Sequence, residues 1–361
     1  MIQQGQADVH EHVHDYVHEH EHGFPGFPMR AFLSIAFSAA LAAAPAPAAA
    51  ASTWHRARAP HVDVLGNGPE AQVRSAAEHV ETFHRVLQSA LASLPAPSPG
   101  GRPPLVLAFR DRASFAGVVP LRGGEPQDVD GVILGGSDRT YIAVHVGEDG
   151  GHGALAHEYA HHALNPVLAA QPPWIGEGLA ELLAQASVWP DAATLGRASE
   201  PHLRRLAREG PAPLRGLLAV GYLSPTYQGE GRERFYATSW ALVHWIVAGG
   251  NGGIPAILAF TAAIAEGAEP AAAFAASFGM TVDAAEASLS AYLASLPLPT
   301  LSLSLPPAGA APVVEVAPVD PTEVDLHLGD ILLRAGRHAE ARSHFARALA
   351  AGAGAAHEGL A

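Results

Sequence analysis

The feature that most constrains this chain is a change of period along it. Up to about residue 146 the apolar residues come in short runs and alternations; beyond it they recur at helical spacing. His61 to Leu65 alternates and ends at Gly66-Asn67-Gly68, a strand followed by a turn. Pro69 to Leu94 carries one apolar stripe, with Val73, Ala77, Val80 and Leu87 among its members, and reads as a helix. After the Pro-rich stretch 95–104, Leu105 to Phe109 is a short buried strand, and 111–117 is a short helix capped by Asp111. Gly131 to Leu134 and Thr140 to Val146 are two strands joined by Gly135-Gly136-Ser137-Asp138, a hairpin signal. A Gly-rich turn, 147–153, then leads into a helix over Ala154 to Leu164 that ends at Asn165-Pro166. A second helix starts near Gly176, and helices continue to about Leu296, including 235–248 and 254–266. Strands first and helices later predict an α+β fold: an N-terminal mixed sheet with helices, then a mainly helical second half.

Composition removes several function classes. The chain has 361 residues, 48% hydrophobic and 16% charged, enough for a sizeable core. A net charge of −14 and the lack of any Lys/Arg cluster argue against nucleic acid as a partner. With no cysteine, disulfides, thiolate nucleophiles, thiolate metal sites and a lipoprotein anchor are all excluded. Any metal must be held by His and carboxylate side chains.

Five segments are expected. Residues 1–28 are rich in histidine (His10, His12, His14, His18, His20, His22) and read as disordered, with loose metal binding as the other reading. Residues 29–51 have a short basic start, an apolar core too short to span a bilayer, and small residues near Ala51, which is the pattern of a signal peptide. On that reading translation starts at Met29, the mature protein is secreted or periplasmic, and no stable membrane span remains after cleavage. The rival reading is a membrane-anchoring arm with a cytosolic His-rich tail. The main domain is 52–296, followed by a Pro/Ala-rich linker at 297–321. In 322–361, Leu328-Gly329, Leu332, Gly336, Ala341, Phe345 and Ala348 fall at the spacings of a tetratricopeptide (TPR) helical hairpin. One such hairpin cannot bury its own face, so it has to dock on the main domain or pair with a protein partner.

The chemistry concentrates in His157-Glu158-Tyr159-Ala160-His161. On a helix, two histidines four residues apart project from one face, one turn apart, as two corners of a tetrahedral zinc site require. Glu158, about 100° further round, lies beside the metal without ligating it. There it can take a proton from a zinc-bound water as that water attacks a carbonyl. The helix is otherwise apolar, unlike a surface helix with scattered charges. Downstream, Pro173-Trp174-Ile175-Gly176-Glu177-Gly178-Leu179-Ala180-Glu181 follows a tight turn, so a second helix can fold back and aim Glu177 at the two histidines as third ligand. Glu181, one turn later, is either an exposed helix charge or the acceptor for the free N–H of a ligating imidazole.

His-Glu-x-x-His followed by Trp-x-x-Glu-Gly-x-Ala-Glu resembles the gluzincin clan of zinc peptidases, which have a thermolysin-like fold. More narrowly it resembles the bacterial peptidase MA-like metallohydrolases, some of which carry TPR tails. The resemblance runs from about Trp54 to Trp245 and over the TPR-like end. It implies zinc, one per chain, with His157, His161 and Glu177 as ligands and Glu158 as general base. It also implies a tyrosine donating to the transition state. Tyr236 stands at a similar downstream distance, its other reading being a packed helical tyrosine; Tyr222 and Tyr227 are weaker candidates. The clan's Gly-x-Met-Glu-Asn motif, which grips a substrate's amino terminus, has no counterpart before His157, which argues against an aminopeptidase. The metzincin pattern is excluded, since Leu164 and Val167 stand where it needs Gly and His. Thr140–Val146 either binds an extended peptide by edge pairing or only completes the sheet. His145, His152 and His162 read as ordinary polar residues at the cleft rim. The expectation is a secreted or periplasmic endopeptidase acting on a peptide or protein substrate. The alternative is a non-catalytic zinc-containing envelope scaffold acting through the hairpin. A weaker third reading is a metal-binding protein that works through its His-rich tail.

Overall fold

The computed structural model describes residues 53–92, 102–136, 139–147, 151–229, 231–307 and 314–354. The His-rich segment 1–28 and the segment 29–51, expected to be a signal peptide, lie outside the described residues.

The first half builds a sheet. β1 (His55–Ala59) and β2 (Val62–Gly66) form a hairpin; α1 (Glu70–Ala90) crosses over to β3 (Leu105–Phe109). The short α2 (Arg112–Ala116), capped by Asp111 as expected, leads to a two-residue ribbon, β4 (Leu121–Arg122) with β5 (Glu125–Pro126). β6 (Gly131–Leu134) and β7 (Tyr141–His145) follow as an antiparallel pair. The second half is mainly helical: α3 (His152–Leu164), α4 (Pro173–Ala184), a ribbon of β8 (Ser187–Val188) and β9 (Ala192–Leu195), then α5 (Glu200–Glu209), α6 (Leu214–Leu218), α7 (Pro225–Gln228), α8 (Arg232–Val247), α9 (Gly253–Ala265), α10 (Pro270–Phe278) and α11 (Val282–Ala294). β10 (Leu301–Ser304), β11 (Val316–Pro318), α12 (Pro321–Arg334) and α13 (His338–Ala350) complete the chain. The architecture is mixed α+β.

The main sheet runs β11-β1-β2-β3-β7-β6, with β2, β3 and β7 parallel and the rest antiparallel. Period-two alternation sends its side chains into two cores. Val64, Val106, Ile142 and Val144 pack into the larger one, beneath α1, α3, α4 and α8. Leu65, Leu107, Tyr141 and Ala143 face the other way and are covered by α12 and α13 through Ile331, Leu332, Ala341 and Phe345. Each such aliphatic burial contributes roughly 1.5–3 kcal/mol. The terminal hairpin therefore docks on the sheet. Tyr141 reaches across to His327 Nδ1 at 2.9 Å and Asp330 at 2.8 Å, and Arg337 donates to the carbonyl of Ala116 at 2.9 Å.

Two expectations need correction. Residues 297–321 are not a free linker: β10 pairs with β9, and β11 lies antiparallel to β1, Ala57 opposite Val316. The alternation Leu-Ser-Leu-Ser at 301–304 carried that signal inside a Pro/Ala-rich composition. Nor is Thr140–Val146 a sheet edge, because β3 and β6 flank β7 on both sides; the edge is β6.

Candidate metal centre

Two helices carry the centre. α3 starts at Gly151 in a left-handed conformation (φ +56°), and its apolar side, with Leu155, Ala156, Tyr159, Ala160 and Leu164, is buried. That orientation leaves His157 and His161, half-buried, facing a cleft. α4 begins with Pro at its first position, which suits the fixed proline φ. It runs through the interior: Trp174, Ile175, Leu179, Leu182 and Leu183 are all buried. It packs closely on α8, and a Cβ at Gly178 would stand 2.5 Å from both the Ser239 carbonyl oxygen and Val243 Cγ2. Glycine beside Glu177 thus lets the helix approach and carry a carboxylate into the core, where Glu177 is only 3% exposed.

The three side chains predicted as ligands converge. His157 Nε2 and His161 Nε2 are 3.1 Å apart, and Glu177 Oε2 lies 3.2 Å from the first and 3.4 Å from the second. A tetrahedral ion with bonds of about 2.0–2.1 Å requires ligand atoms about 3.3–3.4 Å apart, and the triangle is close to that. Among the described residues, buried Glu177 Oε2 has no well-directed hydrogen-bond donor; only the two imidazoles stand near it. An ionised carboxylate left uncompensated in the interior costs several kcal/mol, so its neighbours must supply positive charge. Burial works to raise the Glu177 pKa, but the two imidazoles overcome it and hold the carboxyl well below the usual range. In the same way burial works to lower His157, and Glu177, with Glu158 and Glu181, raises it to about 9. A shared proton and a cation are the two ways to satisfy such a trio, and they compete for the same lone pairs. His157, His161 and Glu177 can hold a metal ion.

The surrounding residues fall into ordered roles. Glu181 Oε1 is 3.6 Å from His157 Nδ1, the ring nitrogen turned away from Glu177, and its other oxygen is 3.2 Å from His202 Nε2. His202, on α5 behind the Ser199 cap, was missed in the sequence; a lone histidine on a polar helix carries no spacing signal. Tyr227 donates to Glu177 Oε1 at 2.6 Å, so this loop tyrosine matters more than its Gly/Pro-rich surroundings suggested. Tyr236 lines the cleft and stacks on Tyr227 with ring centroids 6.2 Å apart, and the two phenols are hydrogen-bonded. Tyr222 stands at the mouth and donates to the Gln171 carbonyl at 3.0 Å. Glu158 is buried beside the ligands, and that burial raises its pKa. Its Cγ would be 2.8 Å from a Cβ at Gly131, so β6 can pass this close only without a side chain there.

The cleft, about 500 Å³, has β6 as one wall and Tyr222, Tyr227 and Tyr236 as the other, with the trio at its floor. The three histidines expected at its rim are elsewhere. His152 stacks on His79 at 4.3 Å, His162 lies 5.8 Å from the Tyr159 ring, and neither they nor His145 line the cleft. Compared with protein-family models and with curated proteins, the chain matches none.

Proposed function

We propose that this chain is a zinc-dependent peptidase of the gluzincin type, with a thermolysin-like arrangement of sheet edge and active-site helices. The observation that carries the reading is the 3.1–3.4 Å triangle of His157, His161 and Glu177, with a buried oxygen that lacks a well-directed donor among the described residues. Zinc suits a donor set of two imidazoles and one carboxylate that leaves a fourth position open. Bound there, it would supply a water of lowered pKa and polarise a carbonyl. Glu158, buried and raised in pKa, accepts and returns the proton of the attacking water. Tyr227 gives its proton to Glu177 and fixes that carboxylate; Tyr236, hydrogen-bonded to Tyr227 and Arg232, is the phenol that would turn its proton to a developing oxyanion. Glu181, itself held by His202, orients the His157 ring from behind. The unpaired edge of β6 offers backbone groups to an extended peptide. Export through the 29–51 signal belongs to the same reading, and sequencing the mature amino terminus tests it.

The direct test is metal analysis with peptide-library cleavage on the wild type and Glu158→Gln. Zinc at one per chain in both, with cleavage by the wild type alone, is expected. Equal cleavage by both refutes the assigned base, and no zinc in either refutes the metal centre. For the scaffold alternative, the apolar face of the terminal hairpin is already buried on the sheet, so it offers a partner less surface than a free repeat.

A further inference from the structure

Resting on the peptidase reading, we infer that Arg232 selects substrates carrying a carboxylate next to the reacting peptide bond: an aspartyl or glutamyl side chain, or the chain's own terminal carboxylate. The chain carries a net charge of −14, yet the accessible charge left uncommitted along its cleft is positive. Apart from Glu158 at the floor, the acids along the cleft are already paired. Asp128 and Asp130 both face Arg112, at 2.7 and 3.2 Å, and Glu209 and Glu233 share Arg205. Three lining guanidiniums, Arg122, Arg232 and Arg234, form no ion pair among the described residues, and Arg234 is spent on the carbonyls of Gly210 and Pro211.

Arg232 is the better placed of the remaining two. It is half-buried, its guanidinium lies over the Tyr236 ring at 5.3 Å, and its hydrogen bond goes to the Tyr236 phenol. It also opens α8, where a cation stands against the helix dipole. Its partners are the Tyr236 and Tyr227 phenols and, through space, Glu177 and Glu158; none of these forms an ion pair with it among the described residues. A substrate carboxylate would supply what is missing, and the planar fork of arginine suits a two-pronged contact. Because Tyr236 is the proposed oxyanion donor, reach from Arg232 covers about two residues of an extended peptide around the reacting carbonyl. Arg122, exposed on β4 at the mouth, adds charge of the same sign along the approach.

The test separates binding from turnover. Fluorescent peptides differing only as Glu against Gln, or Asp against Asn, are titrated into the zinc-loaded Glu158→Gln protein by anisotropy. Acidic peptides are expected to bind about tenfold more tightly, with the gap narrowing as salt rises. Added to the same background, Arg232→Gln brings the ratio close to one, and Arg232→Lys keeps part of it. Zinc content and thermal midpoint confirm that the variants are folded. Equal binding of both peptide sets by Glu158→Gln overturns the proposal, as does a gap that survives Arg232→Gln. A wild type that prefers acidic peptides but cuts none overturns the peptidase reading and leaves the carboxylate selectivity standing.

Discussion

At the level of single residues, the centre depends on short contacts made by groups that would be costly to bury alone. Removing Glu177 as Glu177→Ala takes away the only carboxylate within 3.4 Å of both imidazoles among the described residues, and zinc is expected to be lost on gel filtration, as measured by elemental analysis. Tyr227→Phe keeps the ring and loses the 2.6 Å bond to Glu177. Metal affinity should fall about 10–100-fold by chelator competition, the range for groups that hold a ligand in place; an unchanged affinity would show that the bond does not orient Glu177. Gly131→Val is a sharper test of Glu158. The added side chain occupies the space of the Glu158 Cγ, so cleavage should vanish while zinc stays. Retained activity would mean that β6 moves freely away from the base.

At the level of elements, α4 sets the position of Glu177, and Gly178 sets the position of α4. Gly178→Ala should cost about 1–3 kcal/mol by chemical denaturation and weaken zinc binding in step, since the helix must retreat from the Ser239 carbonyl. A loss of stability with zinc affinity intact would uncouple the two. The elements show why some of this was legible. The α3 stripe and the His-Glu-x-x-His spacing are local, so the helix was readable within two residues, and so was the facing of His157 and His161. Glu177 was readable too, because a prolyl turn and an apolar helix left it little freedom. Strand order was not: that β7 lies between β3 and β6 depends on a crossover and on no residue of β7 itself. His-Arg-Ala-Arg-Ala hid β1, since one face carries Arg56 and Arg58 where a strand usually shows threonine or valine. The roles of His202 and Tyr227 arise from tertiary contacts 21 and 50 residues from their partners, and no window of sequence contains them.

At the level of the whole molecule, the terminal hairpin is part of the fold and contributes a pH-sensitive seam. His327 sits between sheet and hairpin; burial, with Arg139 and Arg56 nearby, lowers its pKa to about 4. Unfolded, it protonates near its ordinary 6.5. Between about 6.5 and 4 the unfolded chain therefore binds more protons than the folded one, and stability falls as pH drops through that window. The effect is on the order of 3 kcal/mol. His79, also lowered to about 4 by burial, adds to the same trend. Thermal midpoints across pH 7 to 4 should show the wild type losing more than His327→Gln; parallel curves would exclude the seam as the source.

The pairing of β11 with β1 has a consequence for how the chain comes into being. Residue 57 waits for residue 316 before its outer edge is covered. A polypeptide emerging from its first residue onward cannot close this sheet until nearly all of it has been made, and such long-range closure is slow. For most of its synthesis the chain stays open and threadable, so nascent forms ending before residue 316 should be cut by protease where the finished protein resists.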